Sequence, residues 1–594
     1  MNTKNSYLQE NPFKIINPEK LSAKDTISLF VKDFTDIEKV MSDGNTFLVG
    51  SRGVGKSMIF RYLQFDCQCL NDECDLQKFD YISIYSQMKN SIFAIREMDI
   101  LNSKNLQNIL NEHWMLMYIC SNLFYLLKNT EKIYNSISYN SIKEFYMEYF
   151  ANVFDLKDNI NLPNITSILE KMYNTVHKSY LDINNYIKKL FILQDNREMY
   201  DKPLLDYMTF FIPLIENLKN IKGFPQSSIY LLIDDAHYLT LSQTKILNTW
   251  IATRTNKNIS IKVSSQYNYK TYYTLNNEII SSPHDYFEID MNKIYTSNID
   301  NYKKRIKSII EKRLKLVGIE TKVEDFFPCD QKQEDEIKSI ADEYKKKYDN
   351  NEISSFNRSD AANRYARPDY IKRLSGSRKS SYNYSYSGFN QLVDLSSGIA
   401  RFFIEPAFFM YAEEKENGNG NITFIKPNTQ NKIIREQANK FFIDEFEKLK
   451  NDDKNDIIPK ENIDKLYILL NGLGSLFRKI LLSNRTERRI FSFAISDEIS
   501  EEVNEVLNLG IELGYLIKST IGRKESEIGG RIKRYIFNRR LAPIWTLDPT
   551  SISGCLFLKN KFIEDGLKDP KKLLYLYKID NEEEQPELFD DSED

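Results

Sequence analysis

Residues 46–63, TFLVGSRGVGKSMIFRYL, constrain the fold of this chain more than any other stretch. A short apolar run, Thr46–Val49, stops at Gly50, and helical apolar spacing (Met58, Ile59, Tyr62, Leu63) starts after Ser57. That order reads as strand, glycine-rich turn and helix. The turn fits G-x-x-x-x-G-K-[ST] at Gly50, Gly55, Lys56 and Ser57, with Ser51, Arg52, Gly53 and Val54 between them and Met58 next. Glycines let a backbone curl until its N–H groups converge on phosphate oxygens, where a Cβ would obstruct. The helix N-terminus adds partial positive charge at the same place. Lys56 is spaced to reach the β- and γ-phosphates, and the Ser57 hydroxyl to ligate Mg²⁺. The expected ligands are ATP and Mg²⁺, held by residues 50–58.

Such a loop needs a second strand that ends in a carboxylate for the metal. Residues 229–235, IYLLIDD, supply a continuous apolar run, as in a strand buried on both faces of a parallel sheet, followed by Asp234 and Asp235. Asp234 is expected to serve Mg²⁺ and Asp235 to orient the attacking water. A glutamate at the second position would reach further, so the aspartate suggests slow hydrolysis and a switch more than a motor. The stretch between Ser57 and Ile229 is far longer than a βαβ crossover requires, which implies an insertion. Residues 81–86 alternate as a strand, and residues 106–127, 142–153 and 165–191 carry helical spacing. The insertion, about residues 90–222, is therefore expected to be helical, with its aromatic residues in the core.

Downstream, residues 241–253 read as a helix and 259–264 as a strand ending at Ser264, Ser265 and Gln266. A polar residue at that tip would lie beside the γ-phosphate. Residues 286–290 form a further strand before a helix at 301–316, and this alternation argues for a parallel α/β sheet.

Basic and acidic residues, 81 and 84, nearly cancel to a formal net charge of −3, which excludes a whole-protein basic field for coating nucleic acid but not a local patch. No run approaches the roughly 18 apolar residues of a membrane span. The first residues lack the pattern of a signal peptide, so a cytoplasmic setting and no membrane partner are expected. Six cysteines are too few for a disulfide framework. Cys67, Cys69 and Cys74 lack a fourth ligand at zinc spacing and read as structural thiols.

Residues 331–352 read as a solvated charged helix. The Ser-, Tyr- and Arg-rich run at 358–390 mixes basic and aromatic residues as single-strand binders do, and equally suits an ordered surface loop or a partner contact. Residues 413–460 hold the best linker candidates, EEKENGNGN and KLKNDDKND. A compact segment follows: helix 463–481, strand-like 489–494, helix 500–513 and two runs, 515–520 and 531–537, flanking the turn IGRKESEIGG. Helices followed by a two-stranded hairpin resemble a winged helix. Its wing carries Arg523, Lys524, Arg531, Lys533, Arg534, Arg539 and Arg540, diluted by Glu525 and Glu527. That clustering suits phosphate contact, a solvated hairpin or a protein-docking face. The acidic tail, residues 576–594, has the composition of a disordered segment.

Together GSRGVGKS (50–57), LLIDDAH (231–237), KVSSQ (262–266) and SSGIARFF (396–403) resemble the AAA+ ATPases of the origin-recognition, or initiator, clade, in particular bacterial ORC-like ATPases. The resemblance implies an α/β class: an AAA+ P-loop ATPase core with a parallel sheet, a helical lid and a C-terminal winged helix. The corresponding divisions are a nucleotide-binding core at 1–290, a lid at 291–450 with an insertion at 318–388, and a winged-helix-like domain at 455–575. It further implies that Gln266 or Ser265 is sensor 1 and that Arg401, in G-x-x-R with Gly398, touches the γ-phosphate. Arg254 is the candidate finger toward a neighbouring subunit. The helical insertion and the 318–388 segment depart from the initiator pattern. The implied function is a switch ATPase that controls a co-encoded partner protein or nucleic-acid engagement, as in antiphage defence, within a homo-oligomer or hetero-complex. The alternatives are a DNA loader or remodeller and a regulatory scaffold with structural ATP.

Overall fold

The computed structural model describes residues 8, 10–32, 37–71, 79–89, 103–156, 162–192, 200–253, 258–293, 299–352, 358–376, 383–418, 422–451, 459–485, 487–522, 531–550 and 554–579. They group into two compact units. One holds Ile16–Gly50 and Gly55–Met291, and the other holds Met1–Ile15, Ser51–Val54 and Asn292–Asp594.

The first unit is built on five parallel strands: β1 (Thr46–Val49), β2 (Tyr81–Gln87), β3 (Ser228–Asp234), β4 (Ile259–Ser265) and β5 (Phe287–Asp290). Their order across the sheet is β2-β3-β4-β1-β5. Every residue of β1 and β4 is buried, and β3 is buried after its first residue, as a strand covered on both faces requires. From β1 the chain crosses to the far edge at β2 and then returns through β3 and β4. The carboxyl ends of β1, β4 and β3 thereby line up at the place where the direction of winding changes, where open α/β sheets take their ligands.

Between β2 and β3 the insertion is helical. Its two long helices, Lys104–Asn129 and Ile165–Ile192, share one apolar cluster through Leu116, Ile119 and Leu123 on the first and Ile168, Met172 and Val176 on the second. Trp114 Nε1 donates to Asn184 Oδ1 across the pair at 3.0 Å. Phe145, Tyr146, Phe150, Phe210 and Phe211 are buried in the same cluster, so these insertion aromatics are core residues. The helix Leu241–Ala252, between β3 and β4, starts at a reciprocal capping box of Thr240 and Gln243.

The second unit differs from the sequence expectation in two places. The Ser-, Tyr- and Arg-rich run is not a surface loop over its first half: Arg358–Gly376 is a helix paired with Gln331–Asp349. Three of its arginines bond within the pair, while Lys372 donates to Asn484 Oδ1. Arg367 forks onto both Glu334 oxygens at 2.9 and 3.0 Å, Arg373 meets Glu343 and Arg358 meets Asp349. Tyr370, Tyr384 and Tyr386 are buried, which removes them from any stacking platform. Residues 413–460, read as linker-rich, are mostly helical: Pro427–Asn439 runs through a π-turn into Glu445–Asn451, and Ile433, Ile434, Phe441, Phe442 and Phe446 are core. The sparse apolar residues there recur at helical spacing among polar ones. Part of each linker candidate, residues 419–421 and 452–456, lies outside the described residues.

Toward the C-terminus, β6 (Ile490–Ile495), β7 (Leu516–Gly522), β8 (Arg531–Phe537) and β9 (Gly554–Leu558) form a sheet in the order β7-β8-β6-β9. Helices Lys460–Leu481 and Glu501–Glu512 pack on it, and the helix–strand–helix–hairpin order is consistent with a winged helix. Strand β9, parallel to β6, and the helices Asn560–Lys568 and Pro570–Ile579 extend it beyond expectation. The tail expected from residue 576 begins inside that last helix, and its remainder, 580–594, lies outside the described residues.

This sheet is tied to the helix Ala400–Glu416. The Arg539 N–H donates to Ser397 Oγ at 2.7 Å. Arg540 lies over the rings of Phe402 and Phe441 and 3.1 Å from Glu405. In the helix Lys460–Leu481, Gly474 faces Trp545, and an added Cβ would meet the indole at 2.4 Å. Gly474→Val is expected to cost about 2–3 kcal/mol by overpacking, measured as a lower denaturation midpoint of the full chain.

Candidate nucleotide-binding site

The turn after β1 is tied at its start, where the Gly50 N–H donates to the Ser265 carbonyl at the end of β4. Gly55 has φ +108°, a left-handed conformation that places glycine where the helix Lys56–Leu63 begins. Lys56 is buried and its Nζ donates to the Gly50 carbonyl at 2.6 Å. Burial pulls its ammonium down to about 8, while Asp235 and Asp234 push it back up. The loop lysine and the two aspartates at the end of β3, distant in sequence, are therefore electrostatic neighbours in one unit. Ser57 follows Lys56 in the first turn of the same helix.

Asp234 ends β3 fully buried. Its Oδ1 accepts from the Asp235 N–H at 3.0 Å and from the Ser264 hydroxyl, and its Oδ2 accepts from the Tyr85 hydroxyl at 2.9 Å. Asp235 sits at φ +58°, an uncommon conformation for a residue with a Cβ, and its N–H also reaches Ser264 Oγ at 3.0 Å. The carboxyl of Asp235 is pushed up to about 6 by burial and then by the Asp234 charge, with Lys56 and Lys89 opposing. A half-buried carboxyl that titrates near neutrality can accept or orient a proton-bearing ligand such as water.

Of the two sensor candidates at the tip of β4, Ser265 is fully buried and its hydroxyl donates to the Gln266 carbonyl. Gln266 is half-buried, and its Nε2 lies 2.8 Å from His237 Nε2. Arg254 lies outside the described residues.

The loop apex, Ser51–Val54, is anchored within the other unit. Asn292 brackets Ser51, accepting from its N–H at 3.0 Å and donating to its Oγ at 3.1 Å. Arg305 Nη2 donates to the Val54 carbonyl at 3.3 Å. The Arg401 N–H donates to the Gly53 carbonyl at 3.3 Å. Gly53 has φ +92°, and a Cβ there would meet Arg401 Cβ at 2.8 Å, so glycine is required on both counts. Arg401 opens its helix after a turn through Ser397 (φ +52°) and Gly398 (φ +82°). Arg52 is exposed, and Met58 is half-buried.

The residues present fit a magnesium nucleotide by donor chemistry. Asp234, Asp235 and Ser57 offer only hard oxygen donors, which suit Mg²⁺, and Lys56 and the loop N–H groups suit phosphate. Tyr85, Asn292 and Arg305 carried no motif signal, and Ser264 and His237 lay inside quoted motifs without an assigned role. Each acts through a partner on another strand or helix, and only the fold reveals those pairings.

The wing cluster is smaller than the sequence suggested. Arg523 and Lys524 lie outside the described residues, as does the side chain of Arg531. Arg534 turns partly inward, its Nε donating to Ser492 Oγ at 2.8 Å. Arg539 and Arg540 are corrected outright: Arg539 is buried, and Arg540 is held by Glu405 and two aromatic rings. Lys533 is exposed, as is Lys518 on β7.

A parallel sheet ordered β2-β3-β4-β1-β5, with a glycine loop closing β1 and paired aspartates closing β3, defines a P-loop protein of AAA+ architecture. The chain belongs to the ORC-CDC6-like family, whose sequence pattern matches residues 11–355 and 331–558. Among solved structures, the Aeropyrum pernix ORC2 protein, in its ADPNP–ADP complexes, is 10% identical over 96% of this chain and 98% of its own, with a TM-score of 0.31. Drosophila ORC bound to DNA is 8% identical over 89% and 94%, with a TM-score of 0.24. Cdc6p from Pyrobaculum aerophilum is 12% identical over 94% and 97%, with a TM-score of 0.21. No curated protein matches the chain in sequence. No helix among the described residues is long and apolar enough to cross a membrane.

In the nucleotide-free protein, the Asp235 carboxyl is expected to titrate near pH 6, and Lys56→Met to move it higher, because the lysine charge lowers it. The carboxyl ¹³C shift of labelled aspartate checks both.

Proposed function

We propose that this chain is a switch ATPase that binds ATP with Mg²⁺ and hydrolyses it slowly. The observation that carries the reading is the convergence of buried Lys56 with Asp234 and Asp235. Gly50–Ser57 cradle the phosphates, and Lys56 neutralises charge on the β- and γ-phosphates. Ser57 and Asp234 hold the metal, which neutralises charge on the phosphate oxygens. Asp235 orients water, and its short side chain keeps turnover slow. Gln266, fixed by His237, reads the γ-phosphate from the sheet, and Arg401 reads it from the helix it opens. An arginine suits that task because its charge persists at any relevant pH and its donors form a rigid fork.

Family membership supports an ATP-dependent role connected with nucleic acid. In the proposed division, residues 1–290 bind nucleotide, 291–450 form the lid with its insertion and 455–575 form the winged-helix-like effector end. Closure of the lid changes how that end engages a partner, in our reading a co-encoded protein, in a soluble assembly of several chains. Antiphage defence is the setting we favour. DNA loading is a second reading, favoured by the exposed Lys518 and Lys533 on β7 and β8.

Lys56→Ala is expected to weaken ATP binding by at least about a hundredfold, the loss of one strong charge-assisted contact. Asp235→Asn keeps binding and lowers turnover by about 10²–10⁴-fold. Calorimetry and phosphate release separate the two, and full activity in both variants defeats the reading. Because the raised Asp235 carboxyl is protonated below about 6, kcat/KM should fall about tenfold per pH unit under that value and level off above it. For the DNA reading, binding measured against salt should weaken in Lys518→Ala and Lys533→Ala with a shallower salt slope, and binding that ignores salt rules it out.

A further inference from the structure

Asp234 is fixed by three donors, and counting its lone pairs singles out one of them. A carboxylate offers about four acceptor directions, two on each oxygen. Both directions on Oδ1 are taken, one by the Asp235 N–H at 3.0 Å and one by the Ser264 hydroxyl. Oδ2 accepts the Tyr85 hydroxyl at 2.9 Å, and no second donor to it occurs among the described residues, which leaves one acceptor direction unused. A metal ion, or a water bound to it, must therefore use the oxygen that Tyr85 orients.

The sheet register explains why a tyrosine is needed. On β2, Tyr85 stands opposite Leu232, and Gln87 stands opposite Asp234. Tyr85 thus meets Asp234 on the diagonal of two parallel neighbours, a span that long side chains cover and short ones do not. Its ring is partly exposed, whereas Asp234 and Ser264 are fully buried. The phenol is the donor on Oδ2, and the backbone and Ser264 hold Oδ1. Outer partners of this kind set the orientation of a metal-binding carboxylate.

We propose that Tyr85 is a positioning residue for Asp234: its hydroxyl fixes the carboxylate plane so that the open direction on Oδ2 faces Mg²⁺, and so sets the metal affinity of the nucleotide site. The assignment rests on the ATP–Mg²⁺ reading of the pocket and names a residue outside the loop and the paired aspartates. Nucleotide held through Lys56 and the loop does not depend on Tyr85, but the gain in affinity from Mg²⁺ does.

The test compares full-length wild type with Tyr85→Phe, which keeps the ring and removes only the donor. ATP affinity is measured by calorimetry in EDTA and across a Mg²⁺ titration. The expected result is an ATP Kd in EDTA within about twofold of wild type, with the Mg²⁺ midpoint raised about 10–100-fold. A thermal unfolding midpoint equal to that of wild type confirms that the β2 edge is intact. Should Tyr85→Phe misfold, Tyr85→Leu, which also lacks the donor, gives the second reading in the same titration. It should raise the Mg²⁺ midpoint and leave binding in EDTA unchanged. An unchanged Mg²⁺ midpoint in Tyr85→Phe overturns the assignment alone, as does an equal loss of affinity with and without metal. A wild type whose ATP affinity ignores Mg²⁺ overturns the assignment and the ATP–Mg²⁺ reading together.

Discussion

Lys56 under its loop is the interaction on which the rest of the first unit depends. An ammonium removed from water must be compensated, and here the Gly50 carbonyl at 2.6 Å and the fields of two aspartates do so. Each compensating group comes from a different part of the chain. The carbonyl requires a strand ending at Gly50, the aspartates require β3 to end beside it, and β4 must lie between β1 and β3 to set their spacing. A lysine buried this way makes the sheet order itself part of the site. The same balance leaves Asp235 near neutrality, because Lys56 offsets only part of the burial and of the Asp234 charge.

How much of this was legible in the sequence follows from how local each signal is. Strands β1, β3 and β4 and the two motif-bearing turns were readable because parallel strands buried on both faces are continuous apolar runs bounded by turn chemistry. The helix Arg358–Gly376 was obscured because its charges bond to another helix, through Glu334 and Glu343, and its polar composition resembles a solvated loop until that partner is known. Residues 427–451 hid behind the same effect, with a few buried aromatics among lysines and asparagines. Strand β9 gave no signal because a parallel pairing to β6 more than fifty residues away leaves no local trace.

The candidate site divides in the same manner. Residues that meet phosphate or metal in P-loop proteins sit at fixed spacing and announce themselves. Those that hold them in place do not, since Tyr85 meets Asp234 across a sheet diagonal and Asn292 meets Ser51 from far along the chain. The wing shows the opposite error. Counting its arginines overstated the cluster, because Arg539 and Arg540 serve the interior and a sequence does not distinguish a buried guanidinium from an exposed one.

The attachment of Arg540 to Phe402, Phe441 and Glu405, with the Arg539 amide on Ser397, bears on how the second unit can move. Arg401 lies one residue from Phe402 and four from Glu405, on the helical turn that Arg540 grips. The turn that carries Arg401 is thus held to the segment after β8 by an ion pair, a guanidinium over two rings and a backbone hydrogen bond.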